Sequence, residues 1–289
     1  MPVNSMNELL YMDIVKAALH EDVRSGDATT SALIPDNVTA RAEMRFREPG
    51  VVCGLDVACS VFEHVNPYLE VSPIEAGGVL AIDGDEVSAG HTVLVVEGSA
   101  NAILTAERVA LNFVQRMSGI ATLTRYFVDS IAGTEAKIAD TRKTTPGLRL
   151  LEKYAVRCGG GTNHRFALDD LILIKDNHIA VCGGIAEAVR RARNYAGHAM
   201  KVEVECDTLE QVREAVAAQA DIILLDNMSP DVLRQAVGIV GGAAITEASG
   251  GINLDTARAV AESGVDVISV GQLTHGARSL DIGLDIELG

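Results

Sequence analysis

A cluster of basic side chains stands out in an acidic chain. The protein has 289 residues and a formal net charge of −16, but the segment DTRKTTPGLRLLEKYAVRCGGGTNHR, residues 140–165, is rich in cations. Its basic and imidazole side chains are Arg142, Lys143, Arg149, Lys153, Arg157, His164 and Arg165. Arginine binds carboxylate or phosphate in two-point geometry, and lysine acts as a compact charge. This local positive excess predicts a site for a small, highly anionic ligand, with a surface ion-pair network as the alternative.

Three of these cations lie four residues apart in PGLRLLEKYAVR. This stretch predicts a helix on which Arg149, Lys153 and Arg157 share one face, where like charges cost roughly 0.2–0.5 kcal/mol per pair. A bound anion or a facing subunit would offset that cost, and a solvated face is the third alternative. The glycines of CGGGTNHR then let the backbone approach a ligand, with His164 and Arg165 as a donor pair.

The elements that position these residues follow from a change of pattern after Lys137. Short apolar runs end in polar residues or glycine: AKIAD, LILIKDN, KVEVECD, DIILLDN, AITEASGG and VDVISVGQ. Most are separated by helix-like stretches, so the strands must be parallel and joined by crossover helices. We predict an α/β fold, an incomplete TIM-like barrel of six to seven parallel strands. Chemistry in such barrels collects at the carboxyl ends of the strands.

Acidic side chains occupy two of these strand ends. Glu203 and Glu205 share a strand face because strand side chains alternate, and Glu205, nearer the carboxyl end, is the predicted site residue. Asp226 ends the next strand. Two carboxylates there can hold ribose hydroxyls or a magnesium ion, or they can neutralise nearby lysines.

Two glycine-bearing loops end the last two predicted strands. SGG covers Ser249, Gly250 and Gly251, and SVGQL contains Gly271, Gln272 and Leu273. Loops in this position present backbone N–H groups to phosphates in barrel enzymes, and two in succession are more specific than one. They predict a phosphate site.

The first third of the chain has a different rhythm. A helical pattern over residues 7–20 precedes short strand-like runs with Pro and Gly turns, and a long helical pattern over residues 105–133 follows them. We predict a small α+β domain, residues 1–115, rejoined by the C-terminal tail, residues 280–289. The barrel domain would be residues 116–279.

Composition excludes several classes of protein. A pI near 4.8 argues against a nucleic-acid partner, because neutralising a phosphate backbone needs a broad basic face. The N-terminal sequence has no basic leader and no unbroken apolar run, so we expect no membrane span and a cytoplasmic location. Five cysteines without a Cys-x-x-Cys pair predict reduced thiols.

The motifs together resemble the quinolinate phosphoribosyltransferase family. The resemblance lies in TAERVALNFVQRMSGIAT, DTRKTTPGLRLLEKYAVRCGGGTNHR, LILIKDNHI, VEVECDTLEQ, ILLDNMSP, EASGGI and VGQLTHGARSLDIGLDI, in the expected order and spacing. It implies that phosphoribosyl pyrophosphate and quinolinate react, with Mg²⁺, to give nicotinate mononucleotide, pyrophosphate and CO₂. It also implies a homodimer or a larger assembly built from it. Both substrates are multiply anionic, as the basic cluster requires.

The resemblance also implies a role for each matching residue. Those that would bind quinolinate are Arg108 (across the subunit interface), Thr141, Arg142, Lys143, His164 and Arg165. Those that would bind the phosphoribosyl pyrophosphate are Lys175, Glu205 and Asp226, the last two also holding Mg²⁺ directly or through water. Those that would bind the 5′-phosphate are Ser249, Gly250, Gly251, Gly271, Gln272 and Leu273, with assistance from His275.

Three other functions are compatible with parts of the sequence. Lys175 at a strand end fits a Schiff-base aldolase. A related pyrophosphorylase-like protein of molybdenum uptake would share the fold. The hairpin pattern of residues 83–98 resembles a lipoyl or biotinyl carrier, but no lysine lies between Lys16 and Lys137 to carry the group. The compact set of cations favours the quinolinate enzyme.

Overall fold

The structure is a computed structural model that describes residues 5–76 and 79–288. Residues 1–4, 77, 78 and 289, which belong to the predicted first domain and its tail, lie outside the described residues. The chain divides into two compact units. The first combines the chain up to Arg125 with Thr144–Gly160 and the chain from Gly276 onward, and the second combines Tyr126–Lys143 with Gly161–His275. The units are interleaved along the chain. The sequence predicted a boundary after residue 115, a position inside a long helix, and a return of the tail, residues 280–289, to the first domain.

The helices follow a 3₁₀ turn at Glu8–Leu10. They are α1 (Met12–Val23), α2 (Ala28–Leu33), α3 (Leu55–Val65), α4 (Ala100–Ser130), α5 (Arg149–Cys158), α6 (Asp176–Cys182), α7 (Ile185–Tyr195), α8 (Leu209–Ala217), α9 (Pro230–Val240), α10 (Leu254–Ala261) and α11 (Gln272–His275). Within residues 5–76 and 79–288, each helix is too short or too polar to cross a membrane.

The two units together contain fourteen strands among the described residues, and β1 and β7 are the longest, with eight residues each. They are β1 (Thr39–Phe46), β2 (Gly50–Val51), β3 (Glu70–Pro73), β4 (Glu75–Ala76), β5 (Val79–Leu80), β6 (Glu86–Val87), β7 (Thr92–Ser99), β8 (Lys137–Ala139), β9 (Ile172–Ile174), β10 (Val202–Cys206), β11 (Ile222–Asp226), β12 (Ile245–Ser249), β13 (Val267–Ser269) and β14 (Ile282–Leu288).

The first unit is built on a four-stranded antiparallel sheet in the order β14-β1-β7-β3. The sequence of β1, TARAEMRF, alternates between buried and less buried side chains, so one face forms the core. Met44 and Phe46 are fully buried on that face, and Phe62 of α3 is also in the core. The last strand of the chain, β14, pairs with β1 over residues 40–46.

A carboxylate from elsewhere in the first unit caps the start of α3. Gly54, the residue before the helix, has φ +100°, a conformation that favours glycine. Asp83 accepts the Gly54 N–H at 2.9 Å and the Leu55 N–H at 3.1 Å. The helix therefore begins with two of its N–H donors satisfied and with a carboxylate at its positive end.

The second unit contains six parallel strands in the order β8-β13-β12-β11-β10-β9. These are the six strands that the sequence predicted. Its first strand, β8, lies beside its last, β13, as in a barrel, while β8 and β9 do not pair. Thr162 extends the sheet past β8 by a parallel bridge to Ala139. The structure is consistent with the predicted incomplete α/β barrel.

Local signals set the limits of the crossover helices. Thr208 and Gln211 form a capping box at the start of α8. Helix α9 begins with Pro230 at a position where a missing N–H costs nothing, and it ends at Gly241, with φ +54°. The buried residues of α7 are Ile185, Ala188, Val189 and Ala192, the spacing of one helical face.

Candidate active site

The carboxyl ends of the parallel strands bring most of the predicted site residues of the second unit to one edge of the sheet. The residues that follow or end a strand there are Thr141–Lys143, Lys175, Glu205, Asp226, Ser249–Gly251 and Gly271. Asp226 of β11 pairs with Ser249 of β12 in the sheet register, so these two strand ends lie side by side. Arg108, the other predicted contact, is exposed on α4 in the first unit.

The loop after β8 is tied to the loop after β13. The Thr274 hydroxyl donates to the Lys143 carbonyl at 2.7 Å, and the Lys143 N–H donates to Thr141 Oγ1 at 3.0 Å. A Cβ on Gly271 would lie 2.9 Å from Lys143 Cδ and 3.3 Å from His275 Nε2. Glycine at 271 therefore leaves room for both side chains, and Lys143 adjoins the predicted phosphate loop.

Two guanidinium groups lie close enough to influence each other. Burial lowers the pKa of Arg165, and the charge of Arg142 lowers it further. Arg165 Nη1 donates to the Leu171 carbonyl at 3.0 Å, which fixes the side chain. Two partly buried like charges held together are suited to an anion with more than one negative group.

Lys175 lies at the end of β9, and the two predicted acids, Glu205 and Asp226, lie on β10 and β11. The strand β9 runs directly into α6, so Lys175 is the residue before a helix, and its N–H donates to His178 Nδ1 at 2.9 Å. Its ammonium pairs with Glu205. Asp226 accepts from Asn227 Nδ2 at 2.6 Å. Carboxylates on neighbouring strand ends, each partly exposed, fit the oxygen ligands that Mg²⁺ prefers.

The loop after β12 requires glycine. Gly250 has φ +98°, and a Cβ there would lie 2.2 Å from Asn227 Oδ1. Within residues 5–76 and 79–288, we find no protein acceptor for the Gly250 and Gly251 N–H groups. By contrast, Asn253 already caps the first N–H groups of α10. The loop itself, rather than the helix end, therefore offers free N–H donors to an anion.

The predicted residues around α11 differ in what they can offer a ligand. Gln272 is exposed, but the Leu273 side chain is fully buried, so only its backbone could contact a phosphate. His275 is exposed at the end of the same turn.

A buried cluster at the centre of the second unit was missed by the sequence interpretation. Glu203, on β10, is fully buried, and Glu247, on β12, is 4% exposed. His164 Nε2 lies 3.2 Å from Glu203 Oε2 and 3.4 Å from Glu247 Oε1. Burial, and then the charge of Glu203, raise the pKa of Glu247 to about 7. A glutamate in the middle of an apolar strand, as in KVEVEC and AITEAS, was the available signal.

His164 is held on every side. Its backbone N–H donates to Asp140 at 2.9 Å, and its Nδ1 accepts the Arg165 N–H at 2.7 Å. Asn163 Nδ2 donates to the other oxygen of Asp140 at 2.6 Å. Both ring nitrogens of His164 therefore face protein groups in this structure.

The basic stripe of α5 belongs to the first unit and is not uniformly solvated. Lys153 is 3% exposed. Arg149 Nε donates to Thr144 Oγ1 at 2.9 Å, and the Arg157 guanidinium lies over the Tyr154 ring, 5.3 Å from its centre. The solvated alternative is therefore wrong for Lys153.

The second unit also has a cavity of about 840 Å³ at the opposite end of the strands. Its lining includes Arg193 of α7, and Asp221 and Asp266, which precede β11 and β13. Asp221 accepts the Val202 N–H at 2.7 Å and pairs with Arg193 at 2.8 Å. These contacts hold β10, α7 and the start of β11 together, and the cavity lies at the end of the sheet opposite the predicted site residues.

The fold and the strand-end residues define a class of protein, an α/β-barrel enzyme that binds small phosphorylated anions. The sequence matches the family model described as quinolinate phosphoribosyl transferase, C-terminal domain, over residues 120–285, and that of the N-terminal domain over residues 27–118. The chain belongs to the quinolinate phosphoribosyltransferase family.

Relatives agree over nearly the whole chain. The probable nicotinate-nucleotide pyrophosphorylase (carboxylating) of Bacillus subtilis (strain 168) is 44% identical over 98% of this chain and 96% of its own. The nicotinate-nucleotide pyrophosphorylase (carboxylating) of Mycobacterium leprae (strain TN) is 46% identical over 95% and 96%. The crystal structure of NadC from Streptococcus pyogenes superimposes with a TM-score of 0.94 at 42% identity, covering 99% of both chains.

Proposed function

We propose that the protein transfers the phosphoribosyl group of phosphoribosyl pyrophosphate to quinolinate and releases CO₂, forming nicotinate mononucleotide and pyrophosphate for de novo NAD synthesis. The observation that carries this proposal is the strand-end set of cations, carboxylates and glycine loops in a chain of this family. Curated relatives named for the same reaction support it. The aldolase and molybdenum-uptake alternatives have no comparable support.

Quinolinate is expected at the cations after β8. Arg142, Lys143 and Arg165, with Thr141 beside them, would bind its two carboxylates, and Arg108 of the partner subunit would complete the set. Charge-assisted hydrogen bonds of this kind are worth about 1.5–3 kcal/mol each. His164, which precedes Arg165, would bind the same carboxylates.

Phosphoribosyl pyrophosphate is expected across the strand ends β9 to β13. Lys175 would bind the pyrophosphate or phosphoribosyl part. Glu205 and Asp226 would hold the ribose hydroxyls and Mg²⁺, which when bound neutralises pyrophosphate charge. The residues expected at the 5′-phosphate are Ser249, Gly250, Gly251, Gly271, Gln272 and Leu273, with His275 beside them.

The chemistry follows from these positions. The pyridine nitrogen attacks the anomeric carbon as pyrophosphate leaves, through an oxocarbenium-like transition state of the kind found in glycoside cleavage. Holding two polyanions in line, with their charges neutralised, supplies most of the acceleration. The ring nitrogen then carries a positive charge. The bond to the adjacent carboxylate breaks, CO₂ leaves, and the electron pair stays on the ring carbon beside that charge until the carbon takes up a proton.

The direct test is an assay for CO₂ and nicotinate mononucleotide from quinolinate, phosphoribosyl pyrophosphate and Mg²⁺. We expect both products in equal amounts with pyrophosphate. Absence of all three products from folded protein would contradict the proposal. Borohydride trapping of a carbonyl substrate on Lys175 would instead support the aldolase alternative.

We also propose a cytoplasmic homodimer whose sites are shared between subunits. Mixing inactive Arg108→Ala and Lys143→Ala subunits should restore part of the activity, because a hybrid dimer rebuilds one intact site. Native mass spectrometry would establish that mixed dimers form. Hybrid dimers without any recovered activity would count against the shared site.

A further inference from the structure

The turn after β11 joins two parts of the predicted phosphoribosyl pyrophosphate site. Asn227 follows Asp226 directly and has φ +54°, a left-handed conformation that few residues other than glycine adopt. Its backbone N–H donates to the Ser249 carbonyl at 2.9 Å, which ties the end of β11 to the end of β12. The turn therefore connects the carboxylate expected at the ribose and Mg²⁺ with the loop expected at the 5′-phosphate.

The Asn227 side chain contacts both of these groups. Its Nδ2 donates to Asp226 Oδ2 at 2.6 Å. An ionised carboxylate can only accept, so this bond directs the NH₂ group toward Asp226 and leaves the amide oxygen pointing elsewhere. That oxygen lies against Gly250, where a Cβ would come within 2.2 Å of it. One planar amide therefore contacts the carboxylate through its nitrogen and the glycine loop through its oxygen.

The backbone conformation of the turn does not by itself account for an asparagine at this position. In the part of the chain that the structure describes, the residues other than glycine with a positive φ are Arg24, Gln219 and Asn227. A left-handed residue can therefore carry other side chains in this protein. Asn227 is also exposed, so the direction of its side chain is not imposed by burial. The contacts with Asp226 and Gly250 are what its short amide provides.

We infer that Asn227 is a positioning residue for phosphoribosyl pyrophosphate, whose amide fixes the direction of the Asp226 carboxylate and sets the place of the Gly250 loop beside it. The inference rests on the proposed function, since it concerns the phosphoribosyl pyrophosphate half of that site. The ribose and its 5′-phosphate are joined covalently, so the groups that bind them must lie at a matching separation. Contacts that set this separation before binding reduce the free energy lost in ordering the site.

Asn227→Gly removes the amide without straining the turn, because glycine adopts a positive φ at no steric cost. We expect its KM for phosphoribosyl pyrophosphate to rise roughly five- to tenfold, with little change in the KM for quinolinate or in thermal unfolding. Gln219→Gly is the matched control, since it makes the same change at φ +60° before β11, at the other end of the strand. It should leave both KM values unchanged. A normal KM for phosphoribosyl pyrophosphate in Asn227→Gly would overturn the inference.

A double-mutant cycle tests the contact between the amide and the loop. In Gly250→Ala the new Cβ meets the Asn227 amide, so Asn227→Gly should relieve part of that clash. The double variant should therefore raise the KM for phosphoribosyl pyrophosphate by clearly less than the product of the two single effects. Gly251→Ala, whose Cβ would enter open space, should combine with Asn227→Gly multiplicatively. Multiplicative effects at Gly250 as well would show that the amide does not set the place of the loop.

A binding measurement without turnover separates this inference from the proposed function. Phosphoribosyl pyrophosphate is titrated by calorimetry in the presence of Mg²⁺ and benzene-1,2-dicarboxylate, which has the two carboxylates of quinolinate but no ring nitrogen to react. The Kd should rise in Asn227→Gly by about the same factor as the KM and stay unchanged in Gln219→Gly. An unchanged Kd in Asn227→Gly would refute the inference even if turnover is normal. Conversely, a wild type that binds phosphoribosyl pyrophosphate but forms no nicotinate mononucleotide from quinolinate would refute only the proposed function.

Discussion

Each unit of this protein contains a buried cluster of three titratable side chains, and the two clusters satisfy their carboxylates differently. In the first unit, ligand atoms of Cys53, Asp83 and Cys158 lie within 4.8 Å of one another. Asp83 there accepts two N–H groups at the start of α3, and the Tyr154 hydroxyl also bonds it. In the second unit, ligand atoms of His164, Glu203 and Glu247 also lie within 4.8 Å of one another, but among the described residues the Glu203 oxygens have no hydrogen-bond partner.

The difference lies in the groups that account for the burial of each carboxylate. Asp83 is accounted for by the helix that it caps, so its burial stabilises the fold and needs no ligand. Within the described residues, neither oxygen of Glu203 has a hydrogen-bond partner, so no backbone contact accounts for its burial. Both clusters could in principle hold a metal ion, but the hydrogen bonds to Asp83 already engage that carboxylate.

The largest expected effect lies in the second unit, at two of the cations that are expected to bind quinolinate. Arg142→Ala or Lys143→Ala should lower kcat/KM for quinolinate about 10- to 100-fold, because each removes a charge-assisted hydrogen bond to substrate. Thermal unfolding should be unchanged in both variants. Arg190→Ala is the control, since Arg190 pairs with Glu187 on an exposed face of α7. Near-normal turnover in both site variants would contradict the assignment.

The next largest effect, also in the second unit, is expected at two glycines and depends on backbone geometry rather than on charge. Gly250→Ala should raise the KM for phosphoribosyl pyrophosphate roughly tenfold, because its Cβ would strike Asn227 at 2.2 Å and φ is +98°. Gly251→Ala has φ +63° but open space. It should therefore cost only the backbone strain, about 1 kcal/mol. Equal effects of the two variants on that KM would count against a specific role for Gly250.

A smaller effect, on stability alone, is expected at the first cluster. Burial raises the pKa of Asp83 to about 6, above the usual value of an aspartate. Below about pH 4 the protonated carboxyl of Asp83 makes its full contribution to the stability of the folded state. As the pH rises through 6 this contribution is lost, and the free energy of unfolding falls by about 2–3 kcal/mol. Asp83→Asn should remove this dependence.

Urea unfolding between pH 4 and 7 measures that difference. The wild type should lose stability relative to Asp83→Asn as the pH rises, while the activity of the folded variant at pH 7 stays normal. Parallel curves would show that Asp83 titrates normally. A large loss of turnover would show that the first cluster is functional as well.

The last prediction concerns the buried cysteines, whose thiols should not react with an alkylating reagent. Cys53 is fully buried and Cys206 is too, and burial raises the pKa of both, that of Cys206 to about 12. Neither should react with iodoacetamide in native protein at pH 8, because the thiolate is the reactive form. Cys182, which is partly exposed, is the internal comparison. Peptide mass spectrometry would detect labelling, and rapid labelling of Cys53 would show that the first cluster opens.

The sequence by itself determined the family, the six parallel strands and the residues at their carboxyl ends. These features depend on local sequence. The period of a strand or helix, a capping residue such as Thr208 and a glycine loop can each be recognised from a few neighbouring residues. The edge at which Lys143, Glu205 and Asp226 gather follows from the parallel arrangement alone. The family and fold predictions are confirmed, whereas the individual roles of the site residues stay predictions.

Only the tertiary structure decided which polar side chains are buried together. Glu203 and Glu205 look alike in KVEVEC, but one is fully buried beside His164 and the other pairs with Lys175 near the surface. Lys153 likewise looks like part of an exposed stripe and is buried. Burial and pairing depend on strands and loops far apart in the chain, so no local pattern specifies them. For that reason the sequence predicted the cations but missed the buried carboxylates of Glu203 and Glu247.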